Sequence, residues 1–239
     1  MTGDEQSRES VLALADFAAR GVEGPDTITQ NLFEMTRGAT KWLKKKLKRK
    51  LDAFSEAYGL DGPGRGSGNS LNALIDGYML TMDKQYLDLA QRLINRCISP
   101  HDDIDARDLT NVEIKWSYTI FLQSLARYMD LKVELKELDN HFWSARATLL
   151  HYAVWMKRNE YPYLEKPEIL EFPNETWSAQ EIRKADVFAS AAKYAPSDLR
   201  NEFRERAAFF FKSCIEQLKK SPERQLTRPI VILLTNGMP

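Results

Sequence analysis

Residues 64–98 read GRGSGNSLNALIDGYMLTMDKQYLDLAQRLINRCI. Apolar residues recur at helical spacing over 70–82 and again over 84–98. Asp83 stands between the two runs, as the tight turn of a helical hairpin requires. Asn69 or Ser70 is placed to cap the first of the two helices. This pattern sets the reading of the chain: helices laid back on one another, with polar breaks between them.

The same period continues outward. Residues 111–130 put Ile114, Tyr118, Phe121, Leu125 and Tyr128 on one stripe. Trp116 and Ile120 fall off it, which predicts a helix buried on more than one side. Over 138–159, Phe142, Ala145, Leu149, Ala153 and Met156 form one apolar line, and Trp143, Ala147, Leu150 and Val154 a second. Residues 197–219 are amphipathic, with Phe203, Ala207, Phe210 and Cys214 on one face. Further helices are expected over 8–20, 27–37, 39–58 and 179–195. Capping-box spacings at Thr27 with Gln30, Thr110 with Glu113, and Ser178 with Glu181 mark three of the starts. One β-branched run, 229–235, reads as a short strand or a buried tail. The expectation is an all-α fold of antiparallel helical hairpins, a single domain over 1–239, stacked into an α/α superhelix or incomplete toroid.

Composition removes several function classes. Lys and Arg number 34, as do Asp and Glu, so the chain is formally neutral and lacks the excess positive charge of a general nucleic-acid binder. At 43% hydrophobic residues it can bury a core and is unlike a disordered chain. No apolar run is long enough to span a bilayer. The polar start MTGDEQSRES lacks the basic and apolar regions of a signal peptide, so a cytoplasmic protein is expected. Cys97 and Cys214 form no metal or redox spacing, and the three histidines form no HExxH. No cofactor and no metal are expected.

Residues 64–98 also resemble the helical hairpins of α/α-toroid carbohydrate-active proteins, among them six-hairpin glycosidases, sugar 2-epimerases and helical domains of polysaccharide lyases. The resemblance lies in the small residues and Tyr78 of one helix, a T-x-D turn at Thr81–Asp83, and Y-L-x-x-A at Tyr86–Ala90. It covers residues 59–219 in style and assigns no catalytic residue. A ring of six hairpins needs more chain than 239 residues. The resemblance therefore implies a partial ring or a domain of a larger protein; a larger assembly or a homo-oligomer is the partner expectation beside a small or polymeric saccharide.

Three long loops are the places to look for a site. Loop 160–177 combines Tyr161, Tyr163, Phe172 and Trp177 with five glutamates. Sugar sites pair aromatic faces with carboxylates, so Glu175 is the candidate acid or base and Trp177 and Tyr163 the stacking surfaces. Arg183 and Asp186, three residues apart on the next helix, can reach the same region, the arginine as partner for an acidic sugar. The plain alternative is a proline-stiffened strut whose aromatics fill the core. Loop 99–110 offers His101, Asp102, Asp103, Arg107 and Asp108, where crowded carboxylates can raise one another's pKa and make a general acid. A solvated Asp–Arg pair is the alternative there.

Loop 59–69 holds five of the 11 glycines but lacks the lysine of a phosphate loop, leaving Arg65 as an anion contact. The basic run Lys41–Lys50 can lie on an anionic surface or form a solvated outer helix face. Two functions emerge: a carbohydrate-active or saccharide-binding domain using carboxylate chemistry, or a non-catalytic helical scaffold for protein interaction. Far-ultraviolet circular dichroism of the whole chain should show dominant helix. Strand content above about a fifth, the globular average, would overturn the all-α reading.

Overall fold

The computed structural model describes residues 4–23, 60–222 and 226–236. They form helices, and among them there is no strand. The helices expected over 27–37 and 39–58, with Thr27 and the Lys41–Lys50 run, lie outside the described residues. The chain divides into two compact units, Met1–Ile98 and Ser99–Pro239.

In the first unit, α1 (Glu5–Glu23), α2 (Arg65–Thr81) and α3 (Lys84–Cys97) pack on one another. The turn between α2 and α3 is the one the sequence marks. Met82 ends α2 in the left-handed region at φ 59°, and Asp83 caps α3 by accepting a hydrogen bond from the Gln85 amide at 2.9 Å. The start of α2 differs from expectation. It begins at Arg65, not near Leu71, so much of the glycine loop is the first turn of a helix. There the Gly64 amide donates to Ser67 Oγ at 3.0 Å, which does the capping expected of Asn69 or Ser70.

Helix α1 buries Ala15, Ala18, Gly21 and Val22, a narrow face of mostly small side chains. It lets α2 come close, and Gly77 is the contact point. A Cβ at Gly77 would stand 2.7 Å from Ala15 Cβ and 3.2 Å from the Tyr86 ring. Tyr86 Oη donates to Asp16 Oδ1 at 2.7 Å, and Arg96 Nη2 to the Val22 carbonyl at 2.9 Å, tying α3 to α1.

The second unit contains α4 (Val112–Lys115), α5 (Tyr118–Glu134), α6 (Asn140–Asn159), α7 (Glu175–Tyr194), α8 (Ser197–Lys220) and α9 (Thr227–Asn236). Helix α7 packs against α5, α6, α8 and α9. Only Ala195 and Pro196 separate α7 from α8. Ile182 meets Cys214 while Phe188 meets Phe203 and Phe210, the register of an antiparallel hairpin.

Several expectations change here. The helix over 111–130 is broken at Trp116–Ser117, and Ile114 is exposed instead of continuing the Tyr118, Phe121, Leu125 and Tyr128 stripe. The second apolar line of 138–159 faces outward, with Trp143 half exposed, while the first line is buried throughout. Helix α7 starts at Glu175 because Asn174, in extended conformation, accepts the Thr176 amide at 3.0 Å. Ser178 and Glu181 are therefore buried inside the helix instead of capping it. The run read as a strand is helix α9, and Ile232 joins Ala179, Ile182 and Cys214 in one apolar cluster.

Gly77→Ala tests the close approach. Alanine gains about 1 kcal/mol of helix propensity over glycine, but overpacking costs about 1–3 kcal/mol. The variant should have a lower urea midpoint, and adding Ala15→Gly in the same chain should recover part of the loss.

Candidate functional site

Segment 160–174 crosses the front of α7 with two short 3-10 turns, Tyr163–Glu165 and Pro167–Ile169. Its buried backbone needs partners, and α7 supplies them from side chains. Trp177, Glu181 and Lys184 fall on one helix stripe at i, i+4 and i+7. Tyr163 lies along that stripe. Its ring meets Trp177 edge-to-face at 5.7 Å, its amide donates to Glu181 Oε1 at 2.9 Å, and the Lys184 ammonium stands 3.2 Å from its ring centre.

Lys184 has no exposed surface. Its Nζ donates to the Tyr161 carbonyl at 2.6 Å and lies 2.9 Å from Glu160 Oε2 and 3.1 Å from Glu181 Oε2. Tyr118 of α5 donates to Glu160 Oε1 at 2.6 Å. Arg206 of α8 donates to the Glu160 carbonyl at 2.8 Å and stacks on Phe210 and Phe209. Burial pushes the Glu181 carboxyl up to about 7, against the pull of Lys184. Burial and the Glu160 charge raise the Tyr118 and Tyr163 hydroxyls well above the usual range, so both stay protonated donors.

In front of this layer is a surface cleft of about 190 Å³. Trp116, Trp177 and Phe172 supply aromatic surface. Glu113, Asn174, Thr176 and Gln180 supply polar groups, and Arg228 of α9 supplies a cation. The cleft is smaller than the roughly 300–1,000 Å³ typical of drug-sized ligands, so it suits a single ring or a comparable group. Several lining groups are engaged by the backbone: the Trp177 indole donates to the Phe172 carbonyl at 3.1 Å, and Glu113 Oε1 accepts the Glu171 amide. Glu113 was expected to complete a capping box with Thr110. In the structure Asn111 occupies the cap position, and the carboxylate reaches across 58 residues of sequence instead.

The site residues expected from sequence separate in space. Trp177 lines the cleft. Tyr163 does not offer a stacking face, being 1% exposed beneath Trp177 and Lys184. Glu175, at the first position of α7, is buried and absent from the cleft lining; the carboxylate that reaches the cleft is Glu113. Arg183 and Asp186 do come together, but through Gln123 of α5. Arg183 Nη1 donates to Gln123 Oε1 and Gln123 Nε2 to Asp186 Oδ2, each at 2.8 Å. Arg65 is exposed at the start of α2 in the first unit.

Loop 99–110 is fastened to α6. Asp102 Oδ2 accepts from Tyr152 at 2.7 Å, Arg107 at 2.8 Å and the Ser99 amide at 3.0 Å, while its carbonyl meets His151 Nε2 at 2.8 Å. Burial opposes its charge, yet these hydrogen bonds win and hold the carboxyl below the usual range. That is the reverse of the raised pKa expected for a general acid. Asp103 accepts the Ala106 amide at 3.2 Å and Asp108 the Asn111 side chain at 3.4 Å, while His101 is exposed.

Gln180 and Arg228, both in the cleft, carried no sequence signal. Gln180 sits in a helix body, and Arg228 precedes the run read as a strand. Among the described residues no cluster of three or more His, Cys, Asp or Glu could hold a metal, and no helix is long and apolar enough to cross a membrane. Compared with known proteins, the chain matches no family model, no curated protein and no solved structure.

Glu181 carries a pH prediction. Its folded pKa, about 7, exceeds the ordinary 4.5, so the folded state holds the extra proton between these values. The stability this proton contributes is full below about 4.5 and is lost as pH rises through about 7. In urea unfolding between pH 5 and 8.5, wild type should lose stability relative to Glu181→Gln as pH rises. A constant difference between the two proteins would contradict it.

Proposed function

We propose that this chain is a saccharide-binding helical protein whose cleft takes one ring of an acidic sugar. The observation that carries the reading is the convergence of Trp116, Trp177 and Arg228 on one cleft of single-ring size. Indole faces cover the apolar C–H side of a pyranose, and a guanidinium pairs a carboxylate in a fixed fork geometry. Arg228 forms no ion pair among the described residues, so its charge is open to a ligand.

The cleft is furnished for binding and presents no free carboxylate for turnover. Glu113 is engaged by the Glu171 amide, and Glu175 does not line the cleft. Acid–base chemistry by Glu175 is retained as a separate arm of the test. The α2–α3 and α7–α8 hairpins support the wider reading of stacked hairpins in an α/α superhelix or incomplete toroid, as in the carbohydrate-active proteins that residues 64–98 resemble.

Calorimetric titration with galacturonate and galactose tests the proposal. Galacturonate should bind more tightly, and Arg228→Ala should weaken it about tenfold or more and remove the preference, since hydrogen bonds to charged groups are worth about 1.5–3 kcal/mol. Glu175→Gln should bind as wild type does. Absence of binding by both sugars would overturn the function, and loss of a measurable turnover in Glu175→Gln would restore that residue as an acid or base.

A further inference from the structure

The cluster behind the cleft is uneven in charge. Lys184 and Glu181 have no exposed surface, and Glu160 is 8% exposed. One ammonium faces two carboxyl groups, 2.9 Å from Glu160 Oε2 and 3.1 Å from Glu181 Oε2. A buried charge without a counter-charge is costly, so the interior favours a proton on one of the two. Glu160 has the larger supply of donors. Its Oε1 accepts from the Tyr118 hydroxyl at 2.6 Å and from the Tyr163 hydroxyl at 3.4 Å, besides the ammonium on Oε2. Glu181 has the Tyr163 amide and the shared ammonium. The proton therefore belongs on Glu181, in line with its pKa of about 7.

The other groups that act on Glu181 do not even out the charge. Burial raises the Tyr118, Tyr161 and Tyr163 hydroxyls, and pushes the Cys214 thiol of α8 up to about 12, so all four stay neutral. Arg206 of α8 aims its guanidinium at the Glu160 carbonyl and at the Phe209 and Phe210 rings, not at a carboxylate. Helix α9 meets α7 through apolar Ile232.

The same two residues of α7 hold the segment in front of them. Glu181 takes the Tyr163 amide, and Lys184 the Tyr161 carbonyl. Between Glu160 and Asn174 the chain has only two 3-10 turns of its own, and segments of this kind open without global unfolding. Phe172, further along it, lines the cleft. We infer that Glu181 is a proton-operated latch: protonated, it keeps segment 160–174 closed on α7, and loss of the proton favours release of the segment and of the cleft wall at Phe172. Release brings water to Glu181, whose carboxyl returns toward its ordinary 4.5. The open form therefore gains on the closed form as pH rises from about 4.5 to 7, and the gain levels off above 7.

Amide hydrogen exchange of the full chain tests the latch, read residue by residue from pH 5 to 8.5 and divided by the intrinsic rate at each pH. The Tyr163 amide and the Lys166 amide, which donates to the Tyr163 carbonyl at 3.1 Å, report on the segment. The Leu125 amide, in the buried face of α5, reports on global unfolding. Tyr163 and Lys166 should be less protected than Leu125, and their protection should fall by roughly 50-fold from pH 5 to 8.5, mostly below pH 7. In Glu181→Gln, which keeps an acceptor for Tyr163 but cannot ionise, both should stay level. A level profile in wild type, protection equal to that of Leu125, or an unchanged fall in Glu181→Gln would each overturn the inference. Should Glu181→Gln fail to fold, the wild-type profile against Leu125 decides alone. The measurement uses no ligand, so its outcome is separate from what the cleft binds.

Discussion

Lys184 is an ammonium with no contact to water, held between Glu160, Glu181 and the Tyr161 carbonyl. A lysine in the interior is tolerable only when its charge is matched and its N–H groups are used. Both conditions are met here by residues brought from different parts of the chain. Glu181 comes from the same helix, and Glu160 and Tyr161 come from the end of α6 and the segment after it. Removing one partner of such a pair costs about 3–5 kcal/mol, whereas replacing all members by apolar groups of similar volume is often neutral. The cluster ties the end of α6 and the segment after it to α7. It dictates where segment 160–174 must lie.

The cleft follows from that constraint. With Tyr161 and Tyr163 pinned to α7, the Tyr163 ring becomes the floor on which Trp177 rests. Val112 and Leu170 complete the same apolar layer, with Trp116 packed against it. The two indoles are thus supported from below by buried side chains while part of each remains available to the cleft. Helix α9 adds the Arg228 cation, carried there by the packing of Ile232 on Ala179 and Ile182. The cleft is assembled on helices and on a loop whose backbone is tied by charged side chains.

The aspartate-rich loop shows the opposite use of carboxylates. Asp102 binds three donors and Asp105 takes the Trp155 indole N–H at 2.7 Å, so the loop's charges are used to hold it against α6. Glu181 of α7 and Asp102 of the loop thus end in different chemical states. One glutamate is raised by burial toward neutrality, and one aspartate is held ionised by its donors. The side-chain donors from α6 that hold the aspartate loop, Tyr152 and Trp155, come from residues about 50 positions away.

The sequence by itself determined what depends on neighbours within a turn or two. Helical period placed the buried line Phe142, Ala145, Leu149, Ala153 and Met156, Asp83 marked the α2–α3 turn, and the aromatic density of 160–177 marked the neighbourhood of the cleft, including Trp177. Tertiary structure decided everything that needed two distant segments at once. Residue type made Tyr163 a stacking surface, but only packing puts Lys184 on its face. Spacing made Ser178 and Glu181 a helix cap, but the extended Asn174 starts the helix a turn earlier and sends Glu181 inward. Chain proximity favoured Glu175, while the cleft takes Glu113 from 58 residues before the amide that it holds. Local pattern encodes period and capping because these are short-range effects; burial, charge pairing and pKa belong to the assembled surroundings of a side chain, which no short stretch of sequence contains.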